Sequence, residues 1–112
     1  MELLQLGPED FLTLEENALR VWVENQKYVY SIESIEKMVL LKTDAGPFYD
    51  DMGLAIDTGE TVILILSEHN CFQNFLFEQL GQVLPVDYQK VMEATLYAGQ
   101  NKFVIYERNK NE

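Results

Sequence analysis

Cysteine, histidine and tryptophan occur once each in this chain, as Cys71, His69 and Trp22. A lone cysteine excludes an intramolecular disulfide and fits a reducing compartment. A lone histidine means that any Ser-His-Asp or Cys-His arrangement has to use His69. One His and one Cys do not supply the three or four ligands at set spacing that zinc requires. No apolar run approaches the roughly 20 residues needed to span a bilayer. The opening Met1-Glu2-Leu3-Leu4-Gln5-Leu6 has neither a basic segment nor a long apolar core, so no signal peptide is expected. The chain also lacks a Gly-rich phosphate loop, an internal repeat and a low-complexity tract. A cytoplasmic protein is the expectation.

Positive charge is the other scarcity. Eight Lys and Arg stand against 19 Asp and Glu, giving −11, and no Lys or Arg lies between Lys42 and Lys90. The interval 43–89 holds Asp44, Asp50, Asp51, Asp57, Glu60, Glu68, Glu78 and Asp87, which is −8 of the total −11. A nucleic-acid backbone or an anionic membrane surface would be repelled by it, and a basic protein or a cation attracted. The plainer reading is that acidic charge keeps a small domain soluble.

What is present is strand periodicity. At 112 residues the chain is expected to be one domain, 1–112, with a core supplied largely by Phe, Tyr and Trp22. Phe11 to Glu15 reads as a short strand. Leu19, Val21 and Val23 alternate with Arg20, Trp22 and Glu24, and Lys27 to Ser31 alternates again, which predicts a hairpin turning at Asn25-Gln26. Ser31 to Glu36 suggests a single helical turn. Met38–Thr43, Met52–Asp57 and Thr61–Leu66 follow as strands, the second and third joined by a Thr58-Gly59 turn. Val62 to Leu66 has no polar face and is expected to be covered on both sides. Then the period changes. Phe72, Phe75, Leu76 and Leu80 predict a helix capped at Asn70 and stopped by Gly81. Pro85 and Asp87 announce a second helix with Tyr88, Val91, Met92 and Leu96 as its apolar stripe. Lys102 to Glu107 closes as a strand. The fold class is therefore α+β: a bent antiparallel sheet of six to seven short strands, PH-like by analogy, with two helices near the C-terminus.

No set of residues points to catalysis, and no cofactor is implied. Cys71 lies beside an apolar stripe at a helix start, where a packed thiol is the ordinary reading. Asp44, Asp50, Asp51 and Asp57 surround one loop, but their spacing does not match a calcium loop, and the neighbours Asp50 and Asp51 diverge in an extended chain. A carboxylate-based metal site or small metal-dependent enzyme is the alternative reading. Trp22, Tyr28 and Tyr30 can stack bases only beside a basic groove, and Arg20 and Lys27 are the sole nearby cations.

The most particular stretch is Thr43-Asp44-Ala45-Gly46-Pro47-Phe48-Tyr49-Asp50-Asp51. The segment Asp44-x-Gly46-Pro47-Phe48-x-x-Asp51 resembles a motif of a family of small uncharacterised bacterial proteins. The resemblance continues at Leu84-Pro85, Val91-Met92-Glu93-Ala94 and Asn101-x-Phe103-x-x-Tyr106-Glu107-Arg108, so it covers 35–108. The chain departs from the pattern at Met52-Gly53-Leu54, where aromatics are expected, and at Tyr106, where Trp is expected. The resemblance implies a bacterial cytoplasmic protein and brings no catalytic residue. Physically, Pro47 fixes its own φ and restricts Gly46, and Phe48 would anchor the loop. The expected function is a non-catalytic acidic module that binds a basic protein, of immunity or inhibitor type. Asp44, Phe48, Tyr49, Asp50 and Asp51 are its binding residues. No nucleic acid or membrane partner is expected. A homodimer would follow if Met38–Leu41 or Val62–Leu66 were an exposed edge.

Overall fold

The structure is a computed structural model that describes residues 2–43, 52–97 and 99–108. Two hairpins of one kind begin it. β2 (Phe11–Glu15), β3 (Ala18–Val23) and β4 (Gln26–Ser31) form an antiparallel three-stranded sheet in chain order. They are joined by two-residue turns at Glu16-Asn17 (φ 54 and 62) and Glu24-Asn25 (φ 53 and 68). Both central residues in the left-handed region match the right-handed twist of the strands. The second turn thus lies one residue before the expected Asn25-Gln26: Val23 pairs with Gln26, which keeps Leu19, Val21 and Val23 buried. A slip of one residue would turn that apolar row to solvent.

A 3₁₀ turn, Ile32–Ser34, leads into the larger sheet. Ser34 Oγ closes it by donating to the Ser31 carbonyl at 2.7 Å. The larger sheet has five strands in the order β1 (Glu2–Gln5), β7 (Thr61–Leu66), β6 (Met52–Asp57), β5 (Lys37–Lys42) and β8 (Asn101–Glu107). Its β5, β6, β7 and β8 pair antiparallel, and β1 pairs parallel with β7. The strand count among the described residues is therefore eight, and β1 is the one that sequence periodicity did not reveal. At four residues it is too short to show a period. The β6–β7 turn holds itself: Asp57 Oδ1 accepts from the Gly59 N–H at 2.8 Å, and Thr58 Oγ1 donates to the Thr61 carbonyl at 2.9 Å.

The C-terminal helices follow. α1 (Phe72–Asn74) runs through a π-helical stretch, Phe75–Leu80, into α2 (Gly81–Val83). Leu84 turns extended and Pro85 follows, so the helix ends there. Gly81 does not stop it. Its φ of −66° is right-handed, and its missing side chain leaves room for Tyr88, because a Cβ there would lie 2.5 Å from Tyr88 Oη. Asn70 does not cap the helix: the position before Phe72 is Cys71, with no side-chain cap bond. Asp87 does cap α3 (Tyr88–Leu96), accepting from the Lys90 N–H at 3.2 Å.

One apolar cluster joins all these elements. It takes Leu12, Leu14, Leu19 and Val21 from the small sheet and Met38, Leu40, Leu54, Ile56, Ile63 and Ile65 from the large one. Phe72, Phe75, Leu76, Leu80, Val91 and Ala94 come from the helices. The expected α3 stripe is corrected here. Val91 and Ala94 are buried, while Met92 and Leu96 are 58% and 82% exposed. Nine residues make only two and a half turns, and the face set by Val91 leaves Met92 about 100° away. β7 is also not covered on both sides. Thr61, Ile63 and Ile65 are buried, but Val62, Leu64 and Leu66 are only half-buried. Neither β5 nor β7 is an edge, since each lies between two other strands.

Candidate functional site

Every binding residue expected from the sequence, Asp44, Phe48, Tyr49, Asp50 and Asp51, lies outside the described residues. What the structure gives is the ground on either side of that loop. β5 ends at Lys42 and β6 begins at Met52, cross-strand partners at one end of the large sheet. Leu66 closes β7 beside them, and the Ser67 N–H donates to the Met52 carbonyl at 2.9 Å. Glu68, exposed, is the next residue along the chain. On the other side β8 places Asn101 and Lys102 in register with Lys42 and Leu41. The interval that is free of cations in sequence is thus not free of them in space. Lys42, only 7% exposed, and Lys102 stand at its root.

His69 is built into the same end of the sheet. Its Nε2 lies 2.8 Å from the Gly7 carbonyl, and its Nδ1 lies 3.0 Å from the Cys71 N–H. A carbonyl can only accept and an N–H can only donate, so the ring carries its proton on Nε2. The histidine therefore ties the segment after β1 to the start of α1. Both ring nitrogens are occupied by backbone, which leaves no free nitrogen to serve Cys71 as a base. Leu6, Gly7, Pro8, Leu66, Glu68, His69 and Asn70 line a pocket of about 250 Å³ here. Apart from Glu68 and His69 its walls carry no ionisable group.

The other constellations weighed in the sequence fall apart or find structural work. Asp57, the one member of the carboxylate group that is described, caps its own turn. Among the described residues no three His, Cys, Asp or Glu side chains converge as a metal-binding set. Trp22 and the two tyrosines do not share a platform, because strand alternation sends them to opposite faces. Trp22 stacks on Phe11 with ring centres 4.3 Å apart, under Lys27 Nζ at 5.4 Å, on the outer face of the small sheet. Tyr28 and Tyr30 pack toward the core. Arg20 is engaged by Glu15 at 3.0 Å and Glu16 at 3.2 Å.

Two features escaped the sequence reading. Tyr88 donates its hydroxyl to the Leu76 carbonyl at 2.7 Å, within the π-helical stretch. Its burial pushes the phenol's pKa above the usual value, nearby Glu78 adds to that, and a backbone hydrogen bond from Gly81 partly offsets both. Gln79 Oε1 accepts from the Leu14 N–H of edge strand β2 at 2.8 Å, while its amide nitrogen donates to Asn74 Oδ1 at 2.8 Å. Neither side chain belongs to a sequence motif, and both depend on which turn of helix faces which strand.

Among the described residues no helix is long and apolar enough to cross a membrane. Comparison with family models, curated proteins and solved structures gave no match. The PH-like analogy and the likeness of the Asp44–Asp51 loop to a bacterial motif therefore stand on the residues alone.

Proposed function

We propose that this chain is a non-catalytic cytoplasmic binding module that offers an acidic surface to a basic protein. In its sharpest form it is an immunity or inhibitor-type protein of a bacterium, as the loop resemblance suggests. The observation that carries this reading is the density of carboxylates, eight acidic residues and no Lys or Arg across 43–89. Support comes from the described part of that interval, where Glu60, Glu68, Glu78 and Asp87 are exposed. Complementary charge would act chiefly on association rate and on discrimination between partners. Affinity would need an aromatic anchor in addition, for which Phe48 or Tyr49 is suited.

The test is a pull-down from bacterial cytoplasm at low salt with the wild-type chain and with Asp50→Lys/Asp51→Lys. A basic protein should be retained by the wild type and lost from the charge-reversed variant, with binding weakened as salt is raised. An empty wild-type bait at low salt, or a partner held equally by both baits, would sink the proposal.

A further inference from the structure

The large sheet has an outer face opposite the core, and it is apolar through its middle. Strand register orders it into three rows. The first is Leu3, Val62, Asp57, Lys37 and Glu107. The second is Gln5, Leu64, Ala55, Val39 and Val104, and the third is Leu66, Gly53, Leu41 and Lys102. Leu3 is 60% exposed, and Val39, Leu41, Val62, Leu64, Leu66 and Val104 are half-buried. Gly53 keeps the third row low, for a Cβ there would meet Leu64 Cδ1 and Leu66 Cδ2, each at 3.3 Å.

We propose that this face docks a second copy of the same chain, sheet against sheet. Three observations select that occupant. The face is neutral, with Lys37 and Lys102 balancing Asp57 and Glu107, in a chain of net charge −11. The described rows of this face therefore add no net charge to the repulsion between two copies. The charges on β8 are also self-complementary. A two-fold axis running across the strands lays the first row of one copy on the third row of the other, while the middle rows meet each other. Lys102 then faces Glu107 of the second copy, and the pair recurs by symmetry, as an isologous interface requires. An unrelated partner has no need of that arrangement. Finally, the area suffices. Five strands about 4.8 Å apart and six residues of about 3.3 Å give a face of roughly 24 × 20 Å. Two such faces remove on the order of 1,000 Å² from water, the lower bound for a specific interface.

Sedimentation velocity of the full chain from about 1 µM to about 1 mM, the range proper to an interface of that size, tests the idea. The wild type should pass from monomer to dimer. Leu64→Glu, in the middle row, should stay monomeric throughout. Lys102→Glu, at an exposed position that folding tolerates, should raise the dimer's dissociation constant roughly tenfold, and Lys102→Glu/Glu107→Lys should restore it. Met92→Glu, on the exposed side of α3, should leave the dimer intact. A wild type that is monomeric at the top concentration overturns the proposal. So does a dimer that survives Lys102→Glu unchanged, or one that Met92→Glu abolishes. Because the dimer variants leave Asp50 and Asp51 unchanged, failure of the dimer leaves the acidic-loop proposal standing, and the reverse.

Discussion

At the scale of single residues, the chain's least conspicuous polar groups hold its parts in register. Gln79 satisfies an edge N–H that the small sheet cannot, so Gln79→Ala leaves the Leu14 N–H with no side-chain partner. A loss of about 1–3 kcal/mol is expected in urea unfolding, the cost of an unsatisfied buried group. His69→Phe keeps the bulk but removes both backbone contacts. Hydrogen exchange should then quicken at Leu4 and Leu6, on the β1 side, before the rest of the sheet is affected. Tyr88 carries a pH signature. A folded-state pKa raised above the unfolded value means that the unfolded chain loses this proton first as pH rises. The contribution is full below about pH 10 and is lost as pH climbs through the folded value. Tyr88→Phe should cost about 1 kcal/mol near neutrality through the lost bond to Leu76 and should flatten the alkaline fall in stability. An alkaline titration that Tyr88→Phe leaves unchanged would assign that fall to another group. Gly81→Ala should be worse than its helical propensity suggests, because the new methyl group meets the Tyr88 ring.

At the scale of elements, the informative contrast is within α3. Val91→Asp buries a carboxylate among core residues and should unfold or severely destabilise the chain. Leu96→Glu, at 82% exposure, should change stability by less than about 0.5 kcal/mol. Equal losses from the two would mean that the helix is rotated from the face described here. The two Glu-Asn turns give a second check. Glu24 occupies the left-handed region at φ 53, where Asn is better tolerated than Glu. Its backbone N–H bonds to Asp10 Oδ1 at 3.1 Å and is kept by any substitution other than proline. Glu24→Asn should therefore raise the unfolding free energy measured in urea, by an amount on the order of 0.5 kcal/mol.

At the scale of the molecule, the two sheets divide the labour. The small sheet, with its polar and stacked outer face, closes the core. The large sheet brings the facing ends of β5 and β6, the His69 junction and the pair Lys42 and Lys102 to one end. That end is where charge of both signs gathers, so partner binding through the loop would be sensitive to salt, whereas association through the neutral outer face would respond to salt only through its Lys102–Glu107 pairs. A melting series with Ca²⁺, Mg²⁺ or Mn²⁺ against EDTA separates the metal reading from both. Selective binding to the folded chain has to raise its melting temperature. The binding-module proposal expects no shift at millimolar metal.

The sequence by itself determined the class of fold and most of its strands, because period-2 alternation and apolar runs are local signals. Met52–Asp57 and Thr61–Leu66 were legible to the residue, and Pro85 with Asp87 marked where α3 begins. It also determined the charge imbalance. Tertiary structure decided the rest. Strand order, the parallel seat of β1 and the pairing of β8, with Lys102, along β5 are contacts between residues far apart in the chain, which no local pattern encodes. Gly81 shows the difference most directly. In sequence a glycine after a helical stripe reads as a stop; in the fold it is an interior helical residue whose missing side chain makes space for the ring of Tyr88, seven positions further on.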